Sequence, residues 1–133
     1  MPDPWNEIIP GLWMGGDDRS PVGRFDHVVS LCAWGEARSP GPPGQTRWFI
    51  EDAEVPEDDE RIWRIAQEVS ERVDREQTVL VRCQMGLNRS GLITAAVLIH
   101  RGLPPTDAIS LIRERRDGMA LCNPHFERWL AGT

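Results

Sequence analysis

Strands alternating with helices along most of the chain predict an α/β fold, with a mainly parallel central sheet flanked by helices. Three observations carry that expectation. TVLVR (78–82) is an apolar stretch between polar Glu76-Gln77 and a cysteine, the pattern of a central strand. Residues 58–75 place Ile62, Ile65, Ala66, Val69 and Val73 on one helical stripe. Residues 89–101 are apolar nearly all round, the mark of a buried helix.

The remaining elements follow in order. Residues 7–14 read as a short strand pair interrupted at Pro10-Gly11. HVVSLC (27–32) and RWFI (47–50) predict two further strands. Between them SPGPPG (39–44) is a surface loop, because proline lacks the amide donor and restricts the residue before it. The helix over 58–75 opens on an acidic turn, which its dipole favours. The helix over 89–101 stops at Gly102, ahead of Pro104-Pro105. Thr106 is placed to cap a helix carrying Ala108, Ile109, Leu111 and Ile112. Asn123-Pro124 starts a last short helix, with Cys122 at its beginning. The sequence contains no repeats, and residues 1–133 are expected to form a single domain.

Composition excludes several classes. The chain is 40% hydrophobic and 27% charged, as ordinary soluble proteins are. A net charge of −6 argues against broad binding to nucleic acid or to an anionic membrane, and leaves room for a local basic pocket. The longest apolar run, 92–99, is too short to span a bilayer, and MPDPWNEIIPGLW has no basic-then-apolar leader pattern. Three separated cysteines without CxxC give no disulfide framework and no zinc pattern. No metal or cofactor is therefore expected, and a reducing cytoplasm is the expected location.

VRCQMGLNRSG (81–91) contains a cysteine, an arginine six residues on, and then a serine. Spacing alone means little here. LCAWGEARSPG (31–41) repeats it with Cys32, Gly35, Arg38 and Ser39, and Cys122 stands six before Arg128. With 15 arginines in 133 residues, three cysteines give about 0.3 such hits by chance. Context separates them. Arg38 runs into SPGPPG, so no helix amino terminus is available there to hold an anion. Residues six apart on a helix are rotated by about 240°, so Cys122 and Arg128 would not meet on one ligand.

Cys83 is entered from a strand and left by a buried helix. The tight loop between them comprises Gln84, Met85, Gly86, Leu87 and Asn88, with Gly86 free to adopt an unusual conformation. Successive amides there, with the helix amino terminus, make a concave anion site. Arg89 closes it with a bidentate fork on two phosphate oxygens. The same positive field favours thiolate over thiol, and helix-end cysteines fall to pKa values of about 3.5 to 7.5. A thiolate at the floor of an anion cradle suits in-line attack on phosphorus.

The loop resembles the phosphate loop of the cysteine-dependent protein phosphatases, Cys-x5-Arg followed by Ser or Thr. Its late position and the order of elements resemble the dual-specificity phosphatase branch more than the low-molecular-weight phosphatases or arsenate reductases. IIPGLWMGG, HVVSLC and WFIED are similar to that family's opening strand, next core strand and general-acid strand, so the resemblance covers nearly the whole chain. It implies that Cys83 is the nucleophile that forms a phosphocysteine, and that Arg89 binds phosphate and stabilises the transition state. It also implies that Ser90 donates to the Cys83 sulfur as it leaves; the plain alternative for Ser90 is a helix cap. Backbone amides from Gln84 to Arg89 would complete the site.

A proton donor is needed as well. Asp52 follows the 47–50 strand, in an acidic run with Glu51, Glu54, Glu57 and Asp58, and stands 31 residues before Cys83. That interval is close to the family's usual one, so the resemblance makes Asp52 the general acid and then the base. The plain alternative is an acidic run that solvates the next helix.

One departure stands out. The family usually has histidine before the nucleophile, and here the residue is Arg82. Strand alternation turns Arg82 away from the pocket, where pairing with an acidic side chain is expected. His100 and His125 offer no substitute. Trp34 and Arg38, in the loop 33–46, are candidates to meet substrate at the rim. The expected reaction is metal-independent hydrolysis of phosphate monoesters, on phosphotyrosine with some phosphoserine or phosphothreonine, in a phosphorylated protein or a small phosphate ester. Three alternatives stay open. One is an RNA 5′-triphosphatase or other small phosphate-ester hydrolase, whose loop is similar but which does without the aspartate. A second is a pseudophosphatase that binds phosphorylated partners without turnover. The third is a redox protein with Cys32 or Cys122 as resolving partner.

Overall fold

The computed structural model describes residues 3–33 and 38–133. In chain order the elements are β1 (Trp5–Ile9), β2 (Leu12–Gly15), β3 (His27–Ser30), β4 (Thr46–Arg47), α1 (Glu60–Asp74), β5 (Val79–Arg82), α2 (Arg89–His100), α3 (Pro105–Arg115) and α4 (Pro124–Ala131). The five-stranded sheet has the order β1-β2-β5-β3-β4. β1 and β2 form an antiparallel pair, and β2–β5, β5–β3 and β3–β4 are parallel. The fold is therefore α/β with a mainly parallel central sheet flanked by helices.

Alternation along the strands sorts the side chains. Leu12, Met14, Val29, Val79 and Val81 join the core beneath the helices, whereas Trp13, Val28, Leu80 and Arg82 take the opposite parity and the other face. α2 is the hub, touching α1, α3, α4, β2 and β5. Ten of its 12 residues are buried, so it has almost no solvent face, as its uniform apolarity predicts. Each of Leu92, Ile93, Val97 and Leu98 is fully buried. Burial of such a side chain stabilises the fold by roughly 1.5–3 kcal/mol. α1 docks through Ile62, Ile65, Ala66 and Val69. Val73, at the end of that stripe, is half-buried against the same core.

Register places the site. Gly15 and Ser30 both stand opposite Arg82, so three parallel strands end level and their loops leave from one edge. That edge is where ligands bind in open α/β sheets.

Two local expectations need correction. The strand expected over 47–50 is the two-residue β4, Thr46–Arg47. Trp48 and Ile50 still donate to Ser30 O at 3.1 Å and to Leu31 O at 3.2 Å, but β3 ends at Ser30 and no regular ladder continues. Thr106 does not cap α3: Pro104 occupies the N-cap and Pro105 starts the helix, since proline's fixed φ already suits a first turn. No helix among the described residues is long and apolar enough to cross a membrane.

Candidate active site

The loop from Cys83 to Asn88 joins β5 to α2. Four successive carbonyls, those of Gln84 to Leu87, are taken from outside it. Gln84 O accepts from Asp17 N at 3.3 Å and from Arg38 Nη2 at 2.7 Å. Met85 O and Gly86 O accept from Arg116, through Nη2 at 3.4 Å and Nε at 3.1 Å. Leu87 O accepts from Leu121 N at 3.1 Å. With four successive carbonyls held outward, no amide from Gln84 to Asn88 is spent on an acceptor among the described residues. Successive unspent amides of this kind make a concave donor array suited to an anion. Gly86 has φ +72° and lies against Gly15 and Gly16, so a side chain there would be both strained and obstructed.

The predicted residues gather on this loop. Cys83 is buried, and its Sγ lies 3.3 Å from Ser90 Oγ. Ser90 is the second residue of α2; Asn88 holds the N-cap position, so the cap reading of Ser90 gives way to a contact with sulfur. Arg89 is buried, and its Nη1 donates to Ile50 O at 3.2 Å. Asp52 is exposed but tethered: Oδ2 accepts from Asn88 Nδ2 at 3.0 Å and Oδ1 from Asn123 Nδ2 at 2.8 Å. Asn123 also donates to Ala53 O at 2.9 Å, while its Oδ1 caps α4 through His125 N and Phe126 N. Cys122 precedes that helix, exposed, with Sγ 3.5 Å from Asn88 Nδ2. His100 and His125 are both exposed.

The rival motif around Cys32 has a different ending. Its cysteine and arginine do converge on an anion, and the anion is internal. Asp17, fully buried, accepts from Arg38 Nε at 2.7 Å, Arg38 N at 3.1 Å and Cys32 Sγ at 3.7 Å. Burial, then the Asp17 charge, pushes the Cys32 thiol up to about 12, which removes it as an attacking thiolate in a redox pair. Arg38, a candidate for the substrate rim, is bound to Asp17 and to the loop carbonyl of Gln84. Trp34 lies outside the described residues.

Arg82 does face away from Cys83, but the expected acidic partner is absent among the described residues. Its Nε donates to Ser30 Oγ at 2.9 Å, Nη1 to Ser39 Oγ at 3.2 Å and Nη2 to Ser39 O at 3.3 Å. Asp17, whose charge reaches Arg82, is engaged by Arg38 and Cys32.

Three residues of the site were not read from the sequence as site residues. Arg116 sits in RERRD, a run of charges, yet it is half-buried and ties the loop to Asp3 O at 2.7 Å and Asn6 Oδ1 at 2.8 Å. Asp17 lies in GGDDRS, where nothing separates it from a turn residue. Asn123 was legible as a helix start, but its tether to Asp52 spans 71 residues of sequence.

An α/β sheet carrying an amide-lined loop, with a cysteine at its floor and an arginine at the following helix, defines the class of cysteine-loop phosphatases. Residues 46–132 match the family described as dual specificity phosphatase, catalytic domain. The chain belongs to that family and is a protein phosphatase. A putative tyrosine phosphatase, 123R, of Invertebrate iridescent virus 6 is 25% identical over 96% of this chain and 94% of its own length. A probable protein tyrosine phosphatase type IVA A of Dictyostelium discoideum is 39% identical over 49 residues, 37% of this chain and 30% of that protein's length. Among solved structures, human DUSP28 superposes with a TM-score of 0.83 at 22% identity, covering 99% of this chain and 93% of that one. PTPMT1 in complex with PI(5)P superposes with a TM-score of 0.79 at 19% identity, covering 98% and 94%.

Proposed function

We propose that the 133 residues act as one catalytic domain that hydrolyses phosphate monoesters through a phosphocysteine at Cys83. The observation that carries this reading is the set of outward-held carbonyls from Gln84 to Leu87, which leaves the loop amides for a phosphate beside the Cys83 sulfur. Cys83 Sγ attacks phosphorus, and the ester oxygen leaves with a proton from Asp52. Arg89 and the amides bear the charge that develops on the phosphoryl oxygens. Water then attacks the phosphocysteine, giving its proton to Asp52. The sulfur departs as thiolate, stabilised by the Ser90 hydroxyl 3.3 Å away, and inorganic phosphate is released. This reading requires no metal, since Cys83 supplies the nucleophile and the positive charge comes from Arg89 and the loop.

Phosphotyrosine is the substrate this reading favours, with phosphoserine and phosphothreonine as secondary substrates, in phosphorylated proteins or small phosphate esters of the cytoplasm. The tether between Asp52 and Asn88 supports monoester hydrolysis over the RNA 5′-triphosphatase alternative, which dispenses with that carboxylate. The test is hydrolysis of para-nitrophenyl phosphate against pH, with EDTA present, for the wild type and Cys83→Ser. Activity in the wild type and none in the variant is expected. Phosphate or vanadate binding without turnover at any pH would instead make the protein a binding module.

A further inference from the structure

Arg82 is 1% exposed, and among the described residues its guanidinium meets no carboxylate. Its three hydrogen bonds go to the Ser30 hydroxyl and to the hydroxyl and carbonyl of Ser39, neutral groups that use three of its five N–H donors. Guanidinium does not shed its proton in proteins, so the charge stays. Burial works most against that charge; Asp17, already paired with Arg38, favours it from a distance, and the nearby guanidinium of Arg47 adds repulsion. A buried cation in this position calls for a counter-charge.

The surroundings indicate where one would come from. Beside Arg82 lies a cavity of about 400 Å³. Arg38, Arg47 and Arg82 line it together with Ser30, Ser39 and Gln45, and no Asp or Glu is among its described lining residues. The whole chain carries 21 acidic against 15 basic residues, so the cavity is opposite in sign to the molecule around it. Guanidinium forks beside an amide donor are the chemistry that recognises a phosphate group; the Ser30 and Ser39 hydroxyl protons go to Gln45 Oε1 and Asp17 O.

We propose that this cavity is a second oxyanion site that takes a phosphate group, on the face of the sheet opposite α2 and separate from the loop at Cys83. It is coupled to that loop in two places. Arg38 Nη2 donates to Gln84 O at 2.7 Å, and Arg82 immediately precedes Cys83 in β5. The phosphate comes either from solution, as the inorganic phosphate a phosphatase releases, or from a second phosphoryl group on a multiply phosphorylated substrate. Binding itself does not depend on the proposed reaction; the second source does.

The test is a titration of the wild-type chain with inorganic phosphate, followed by 1H–15N correlation spectra. Amides of Gly41 and Gln45, with the arginine Nε–H signals, report the cavity, and amides of Gly86 and Leu87 report the loop. Arg47 is exposed and outside the loop, so Arg47→Gln leaves the core intact. The expected result is a separate saturation curve for the cavity signals, weakened about tenfold or more in Arg47→Gln, with the loop curve unchanged. Shifts confined to the loop, or cavity shifts that follow the loop curve and survive Arg47→Gln, would overturn the proposal. A second arm compares kcat/KM for singly and doubly phosphorylated peptides. A doubly phosphorylated advantage lost in Arg47→Gln supports the site with substrate as the source. Equal values alongside a positive titration support it with free phosphate as the source. A chain inactive on both peptides refutes the hydrolytic reading and leaves the titration standing as the test of the cavity.

Discussion

Asn88 Nδ2 lies 3.0 Å from Asp52 Oδ2, so a residue of the loop itself holds the carboxylate that follows β4. The proposed acid and the phosphate site are thereby built as one unit. Asp52→Asn is expected to lower kcat by about 10²-fold or more with little change in KM, the usual effect of removing a general acid. Steady-state kinetics on para-nitrophenyl phosphate and on a phosphopeptide reads both parameters. An unaltered kcat removes Asp52 from the mechanism.

Asn123 performs two tasks that substitutions can separate. Its Nδ2 tethers Asp52 at 2.8 Å, and its Oδ1 caps α4. Asn123→Asp keeps the cap acceptor, loses the donor and sets a like charge beside Asp52. We expect kcat to fall about tenfold with the melting temperature nearly unchanged. Asn123→Ala should lose the cap as well, about 1 kcal/mol of stability, or a few degrees in Tm. Wild-type kcat in Asn123→Asp would show that Asn88 alone positions Asp52.

Arg116 holds Met85 O and Gly86 O away from the amide array. Arg116→Met should lower kcat/KM about 10²-fold and raise the inhibition constant of inorganic phosphate, because the loop carbonyls are then free to turn inward. Stability should fall by about 3 kcal/mol, the scale of losing charge-assisted hydrogen bonds. Arg116→Lys is expected to recover stability more than activity, since an ammonium cannot reproduce the planar fork. Unchanged phosphate inhibition in Arg116→Met would show that the loop keeps its shape without this clamp.

Cys32 is held neutral by burial and by the Asp17 charge, with a pKa pushed up from 9.0 to about 12. The raised value favours the folded state below pH 9, and that contribution is lost as pH climbs from 9 toward 12, where the unfolded thiol ionises first. Cys32→Ala should flatten that part of the stability–pH curve in denaturant titrations. Iodoacetamide near pH 8 should label exposed Cys122 and leave Cys32 unmodified, as peptide mapping would show. Rapid labelling of Cys32 would mean that the Asp17 hub opens in solution.

Most of the fold was legible because the signals are local. The stripe of α1, the uniform apolarity of α2 and the run TVLVR each report burial within a dozen or so residues. The misreadings arose where a neighbour decides. The strand expected over 47–50 stops early because β3 offers no further ladder, and Thr106 lost its cap position to two prolines. The motif around Cys32 turned on Asp17, which takes up its arginine and lies 15 positions away from the cysteine.

Sequence alone determined the element order and set Cys83, Arg89 and Ser90 inside one short segment, while the resemblance to the phosphatase family picked Asp52 from its acidic run as the proposed acid. The first two depend on spacing along the chain and on backbone rules that act locally. The tertiary structure decided which partners hold that loop open: Arg116 on the carbonyls, Asp17 and Arg38 behind Gln84, and Asn123 across to Asp52. It also decided that Arg82 would be buried against serines instead of paired with an acid. These contacts join residues 30 or more positions apart, and chain packing alone brings them within hydrogen-bond reach.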